Sequence, residues 1–168
     1  MNFRIILLSI IFISACSDVS YETIRVKNGI HYTGASDTPF TGTAIEKYQN
    51  GQIKSSRTFK VGKLHGKTFH YFNNGQVMYE KVFENGLHHG VSYAFYETGR
   101  LRYKINYVDD LKHGTVEVYY ENGNIERETQ YELGLRNGYS KLYNSFGVLY
   151  ETEEYLKGKL VNTKSHLK

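Results

Sequence analysis

Three histidines, His65, His89 and His113, recur at intervals of 24 residues, with His88 beside the second. Imidazole ligates transition metals and also titrates nearest to neutrality, so such a row raises two chemistries, a metal centre or a proton-sensitive surface. Distance decides between them. Ligands of one zinc ion stand within about 4 Å of each other, whereas equivalent positions of successive β-hairpins stand about 10 Å apart. No shared metal is expected, and each histidine reads as a turn residue bonded locally. Asp109, Asp110 and His113 form the best acid–base set, but they fall where the glycine spacing marks a turn, and a solvated turn is the expectation. Ser92, Ser140 and Ser145 have no Gly-x-Ser-x-Gly context, so no nucleophile elbow is expected. No phosphate-loop or dinucleotide fingerprint occurs either, and no cofactor is expected.

Aromatic side chains form the stronger pattern. Tyr71, Phe95, Tyr119 and Tyr143 recur every 24 residues, and immediately after the first three positions stand Phe72, Tyr96 and Tyr120, with Tyr48 one period earlier. Rings about 10 Å apart along a surface can stack on sugar rings or accept the apolar side chains of another macromolecule. These eight residues are the candidate binding surface.

The elements that hold them are written in the glycines. Gly42, Gly66, Gly90, Gly114 and Gly138 keep the 24-residue period without a gap, and Gly51, Gly75, Gly99, Gly123 and Gly147 follow nine residues later. Before three of the latter stands asparagine, and Asn-Gly suits a two-residue type I′ turn. Gly62, Gly86, Asp110, Gly134 and Gly158 mark a second, looser turn. The spacing predicts strand, tight turn, strand, loose turn, in five copies: 42–65, 66–89, 90–113, 114–137 and 138–161. A two-residue loop puts Tyr48 opposite Ile53, Phe72 opposite Val77, Tyr96 opposite Leu101 and Tyr120 opposite Ile125. It also lays Phe59, Phe83, Tyr107, Tyr131 and Tyr155 over the five leading glycines, a ring shielding a bare backbone. The expected fold is all-β, an elongated single-layer antiparallel sheet. Residues 23–41, with Asn28-Gly29 between two short apolar runs, read as an N-terminal capping hairpin; residues 163–168 read as a flexible tail.

Composition agrees and excludes more. The 168 residues include 16 Tyr, 9 Phe and 16 Gly against one Pro and no Trp, which favours aromatic strands and turns over a helical bundle. The net charge of +4 is spread along the chain, so nucleic acid is not implied. One cysteine, Cys16, excludes an internal disulfide. Residues 1–15 join a basic start at Arg4 to an apolar run from Ile5 to Ile13, too short to cross a bilayer and of the form of an export signal, expected as a helix over 3–15. Ile13-Ser14-Ala15-Cys16 resembles the bacterial lipobox, which implies cleavage between Ala15 and Cys16 and lipid on the Cys16 thiol. Residues 16–22 then serve as anchor and linker.

Gly66-Lys-Thr-Phe-His-Tyr-Phe-Asn-Asn-Gly75, followed by Gly86-Leu-His-His-Gly90, resembles the MORN-repeat variant of bacterial proteins labelled YwqK-family antitoxins, over residues 34 to about 162. The resemblance implies an open repeat sheet without enzyme activity. The expected protein is exported and lipid-anchored, in the outer membrane facing the periplasm if the cell is Gram-negative. Its sheet is expected to bind a protein partner as an immunity or antitoxin-like module, the alternative being a structural lipoprotein contacting cell-wall glycan through its tyrosines.

Overall fold

The structure is a computed structural model that describes residues 18–166; the expected signal helix, Ala15 and Cys16 lie outside the described residues. A two-residue strand β1 (Val19–Ser20) and a 3-10 turn (Tyr21–Thr23) lead into a separate hairpin, β2 (Ile24–Lys27) and β3 (Ile30–Thr33). The repeats follow as β4 (Gly42–Lys47), β5 (Ile53–Lys60), β6 (Lys63–Tyr71), β7 (Val77–Glu84), β8 (Leu87–His88), β9 (Gly90–Phe95), β10 (Leu101–Val108), β11 (Leu111–Lys112), β12 (Gly114–Tyr119), β13 (Ile125–Glu132), β14 (Leu135–Tyr143), β15 (Leu149–Leu156) and β16 (Lys159–Ser165). Apart from β2 and β3 all belong to one open 14-stranded sheet in chain order, antiparallel except where β1 runs parallel to β4. The expected all-β repeat architecture is observed.

All five expected glycine–aromatic register pairs form: Gly42 with Phe59, Gly66 with Phe83, Gly90 with Tyr107, Gly114 with Tyr131 and Gly138 with Tyr155; the closest side chains to the glycines are others, Phe40 at Gly42, Val82 at Gly90 and Gln130 at Gly138. Paired residues point to the same side of a sheet, so the glycine–ring pairs define an inner face. Ala44, Thr68, Ser92, Val116 and Ser140 share it, all buried. The outer face carries Phe69, Glu80, Tyr93, Lys104, Glu117 and Glu128 in a row of direct cross-strand pairs.

The turns reverse the expectation. After β4 the chain makes a type I turn closed by Gly51 N–H to the Tyr48 carbonyl at 2.9 Å, and Tyr48 N–H bonds back to the Gln52 carbonyl at 2.8 Å. Gly51 is left-handed and Asn50 is not, the three-residue loop that ends in a glycine bulge. The asparagine instead uses its side chain, Oδ1 accepting the Gln52 N–H at 3.1 Å, as Asn74 does from Gln76 and Asn122 from Asn124. The extra residue shifts the register beside the turn. Ile53 faces Lys47, Val77 faces Tyr71, Leu101 faces Phe95 and Ile125 faces Tyr119; Tyr48, Phe72, Tyr96 and Tyr120 enter the turns instead.

The second turn is the tight one. Val61-Gly62, Asn85-Gly86, Asp109-Asp110, Leu133-Gly134 and Lys157-Gly158 all adopt positive φ at both residues, and the flanking residues, such as Lys60 and Lys63, pair directly. That is the type I′ hairpin, with an unusual left-handed β-branched Val61 at φ 49. These turns stack through backbone bonds. Gly62, Gly86, Asp110, Gly134 and Gly158 donate their N–H groups to the carbonyls of Phe40, Leu64, His88, Lys112 and Arg136 at 2.7–3.0 Å.

At the N-terminal end Phe40, Ala44 and Phe59 form a buried cluster, with Val19, Tyr21, Ile24 and Leu64 against it. The β2–β3 hairpin docks on the Val61-Gly62 turn, His31 N–H reaching the Gly62 carbonyl at 2.9 Å, while β1 covers the edge of β4. The C-terminal end departs from expectation, because Thr163–Ser165 are paired in β16 against β15 rather than forming a flexible tail. Inside the array, two additional residues around each leading glycine are looped out between repeats, with Thr129 facing Ser140 while Tyr131 faces Arg136. Those glycines have φ of 76–101 from Gly66 to Gly138. Asn162 stands at the sixth position and is not left-handed, so only one residue bulges and Glu153 faces Thr163 instead of Lys164. A one-residue slip exchanges the faces. Lys164 therefore stays off the inner face, where its counterparts are buried.

Candidate interaction surface

The eight ladder residues do two different jobs. Tyr48, Tyr96 and Tyr120 reach forward one repeat, each phenol donating to the backbone carbonyl of Tyr71, Tyr119 and Tyr143 at 2.6, 2.7 and 2.9 Å. Those hydroxyls fasten turn to turn, and burial pushes the Tyr96 and Tyr120 phenols above their ordinary pKa. Phe72 is the one ring in that file without a hydroxyl. Tyr71, Phe95, Tyr119 and Tyr143 lie on the outer face. Tyr71 stacks with Phe69 at 6.2 Å, and Phe95 lies 6.3 Å from Tyr93. Tyr119 donates to Glu117 at 2.5 Å and Tyr143 to Glu128 at 2.9 Å. Burial, reinforced by the bond to Glu117, pushes the Tyr119 phenol up to about 12. Although burial alone would raise the Glu117 carboxyl, bonds from Tyr119 and Lys104 outweigh it and hold the group below its ordinary value.

The histidine row does not act as a row. The Nδ1 of His65 is buried without a partner, while the backbones of His89 and His113 donate to the Val82 and Asn106 carbonyls. Nor do Asp109 and Asp110 gather around His113. Asp110 accepts from the His88 backbone at 2.8 Å and lies 3.0 Å from His88 Nδ1, and Asp109 lies 3.2 Å from His89 Nδ1. The left-handed Asp109-Asp110 turn aims both carboxylates back at the preceding repeat. Bonds from the His88 backbone and ring hold the Asp110 carboxyl below its ordinary pKa. Ser140 bonds the Thr129 hydroxyl at 3.0 Å, Ser92 is buried, and Ser145 offers its carbonyl to Asn122 and Asn124. These arrangements stabilise turns and strands. Among the described residues no group of three or more His, Cys, Asp or Glu is placed to hold a metal ion.

A column of side chains on the inner face lies outside the eight ladder residues. The residue two before each leading glycine lies against the rings paired in register with those glycines. Phe40 stands 5.6 Å from Phe59, His88 stands 4.3 Å from Phe83 and 5.1 Å from Tyr107, Lys112 lies 5.2 Å over Tyr131, and Arg136 lies 4.9 Å over Tyr155. Leu64 fills the same place beside Phe59. The column runs from aliphatic and aromatic at the N-terminal end to cationic at the other, each cation favoured by the ring face beneath it.

Stacked repeats with this turn and ring pattern match a known family. The sequence pattern of the MORN repeat variant fits residues 40–60, 64–85, 89–109 and 112–133, just over half of the chain. The chain is a MORN-repeat protein. Its fifth MORN copy, at 138–161, keeps the hairpin but lies outside the matched stretches, and it carries Asn144 and Phe146 where the other copies have an aromatic residue and Asn or Thr. No curated protein matches the chain.

Between the second and third MORN copies the inner face opens into a groove of about 290 Å³, lined among others by Tyr79, Lys81, Ala94, Tyr103, Ile105 and Tyr107. Its cause is local. Copy three places Ser92 and Ala94 where the next copy has Val116 and Val118, and the missing side-chain volume exposes the tyrosines around it. Tyr79 is 40% exposed. Lys81 lies 5.3 Å over the Tyr79 ring, so the groove is apolar with a cation at its rim. Residues of this kind at the centre of a surface carry most of the binding energy in protein complexes.

Proposed function

We propose that this MORN-repeat protein is a non-enzymatic, lipid-anchored envelope protein whose sheet binds a protein partner, as an immunity or antitoxin-like module does. The observation that carries the reading is the groove of Tyr79, Tyr103 and Tyr107 with Lys81 at its rim, set in an open single-layer sheet. An aromatic-lined recess with a cation beside it fits an apolar side chain neighboured by a carboxylate. The scattered titratable groups support the non-enzymatic part, since Asp109 and Asp110 are engaged in turn bonds with His89 and His88. Cys16 provides the anchor, and two or three chains on one cysteine suffice for stable membrane attachment. Export to the outer membrane, facing the periplasm, would place the sheet among envelope proteins.

Cross-linking in living cells from a photoreactive residue at Tyr103, with Tyr150 as the control position, tests the binding surface. A discrete protein adduct from position 103 alone is expected; none, or equal adducts from both, refutes the groove as the contact. A Cys16→Ala variant is expected to lose palmitate labelling and membrane fractionation, and persistent labelling refutes the anchor. A second reading rests on the ring pairs Phe69–Tyr71 and Tyr93–Phe95 of the outer face, which suit the faces of sugar rings. It requires retention on purified peptidoglycan that Tyr71→Ala with Phe95→Ala abolishes.

A further inference from the structure

The sheet ends at β16, and among the described residues nothing pairs with its outer side. β15 and β16 differ sharply in charge. β15 carries Glu151, Glu153 and Glu154 without a basic residue, while residues 157–166 carry Lys157, Lys159 and Lys164 without an acid. The whole of Lys159–Ser165 is exposed. Its outer backbone groups are open as well. His166 donates its N–H to the Tyr150 carbonyl at 2.8 Å, and bonded and unbonded positions alternate along an antiparallel pair, so Ser165 and Thr163 turn their N–H and C=O groups outward.

Lysines on an edge strand discourage pairing with a like strand. Two copies of β16 side by side would bring the two lysines of each, Lys159 and Lys164, into one seam, and the array itself cannot continue there, because the slip at Asn162 has exchanged the faces. What the edge discourages in another copy of itself it favours in a strand of opposite charge. β15 already shows the composition that β16 accepts on its inner side. We propose that the outer edge of β16 is a strand-addition site for an extended acidic segment of a partner protein. Backbone bonds at Thr163 and Ser165 supply affinity, and Lys159 and Lys164 select charge. The proposal rests on the protein-binding reading above and locates a second contact at the end of the sheet.

The test uses a capped eight-residue peptide with the sequence of residues 149–156, labelled for fluorescence anisotropy, and a control peptide with its three glutamates replaced by lysine. The acidic peptide is expected to bind at least ten-fold more tightly at low salt and to lose that advantage in 0.5 M salt. Amide exchange at Thr163 and Ser165 is expected to slow in the bound state. Thr163→Pro removes an outward N–H without touching the bonds to β15, and a ten-fold or greater loss of binding is expected. Should that variant unfold, Lys159→Glu with Lys164→Glu serves instead and is expected to reverse the charge preference. Equal binding of the two peptides, binding of neither, or a preference unchanged in the lysine variant overturns the edge site. Cross-linking from Tyr103 is independent of those outcomes, so the edge site can fail while the groove reading stands.

Discussion

Replacing Phe72 by Tyr should stabilise the protein. In the file of rings that enters the turns after the first strand of each repeat, Tyr48, Tyr96 and Tyr120 each donate a hydroxyl to a backbone carbonyl of the following repeat at 2.6–2.9 Å. Phe72 occupies the equivalent turn, closed by the same pair of backbone bonds, Gly75 N–H to the Phe72 carbonyl and Phe72 N–H to the Gln76 carbonyl. A hydroxyl added at the ring tip meets the Phe95 carbonyl, the counterpart of those of Tyr71, Tyr119 and Tyr143. A neutral hydrogen bond of this kind contributes about 1 kcal/mol net, within roughly 0.5–1.5. For a chain of this length that corresponds to a rise of about 2–4 °C in Tm. The reverse change, Tyr96→Phe, should cost a similar amount, because in a repeat array each interface contributes through its nearest neighbours. Urea and thermal unfolding of the two variants beside the parent chain provide the assay. A neutral or destabilising Phe72→Tyr together with a neutral Tyr96→Phe would refute the claim that these phenols fasten the repeats.

Tyr119 supplies a pH test. Its folded pKa, pushed up to about 12 from the ordinary 10.0, means that the folded state holds this proton more tightly than the unfolded one, so the stabilisation is present below about pH 10 and is lost as pH rises from there toward 12. Discounted for partial solvent exposure, the loss is ~1–2 kcal/mol; Tyr119→Phe should flatten alkaline unfolding over that range, and an unaltered profile would contradict it. Gly62→Ala should detach the cap, because a Cβ there stands 2.3 Å from Ile30 Cγ2 and 2.9 Å from the His31 carbonyl at a φ of +73; a loss of at least ~2 kcal/mol is expected, with fast amide exchange over residues 24–33, and retained protection would count against the docking. Asn162→Gly combined with Lys164→Ser should restore the two-residue bulge and move the partner of Glu153 from Thr163 to residue 164. Interstrand NOEs that still join 153 to 163 would show that glycine does not set this register.

The period and the five glycine–aromatic register pairs were legible in the sequence because each depends on one residue type at a fixed spacing: glycine where the backbone takes a positive φ, and a ring directly opposite it. The turns were not. Asn-Gly suits both a type I′ turn and a type I turn with a glycine bulge, depending on whether the asparagine backbone or only its side chain turns the corner. At Asn28-Gly29 the backbone does, with φ of 53 and 75, whereas at Asn50, Asn74 and Asn122 the side chain does. Of the five two-residue turns, Asn85-Gly86 carries the expected dipeptide, whereas three carry Val61, Leu133 and Lys157 at positive φ, residue types that disfavour that conformation and give no local warning of it. The column of Phe40, Leu64, His88, Lys112 and Arg136 was hidden for another reason. Its members share no chemistry, only the capacity to lie flat against an aromatic ring, so a search for recurring residue types passes over them.

That column bears on how one repeated unit becomes a molecule with two unlike ends. Every copy keeps the same backbone bond from the second residue of its type I′ turn to the carbonyl of the column residue 22 positions earlier, so the geometry along the edge is nearly constant while the side chain at that residue is free to vary. Apolar members gather at Phe40 and Leu64, where the cap and β1 exclude water around Phe59. Cationic members occupy Lys112 and Arg136, where among the described residues no second layer covers the sheet and a charged group must remain hydrated at its tip while its stem covers a ring. His88 stands between the two regimes, held by Phe83, Tyr107 and Asp110. It also stands beside the groove that the small residues Ser92 and Ala94 leave open. A partner seated in that groove would meet an aromatic floor with the buried cluster on one side and the lysine-bearing end of the sheet on the other.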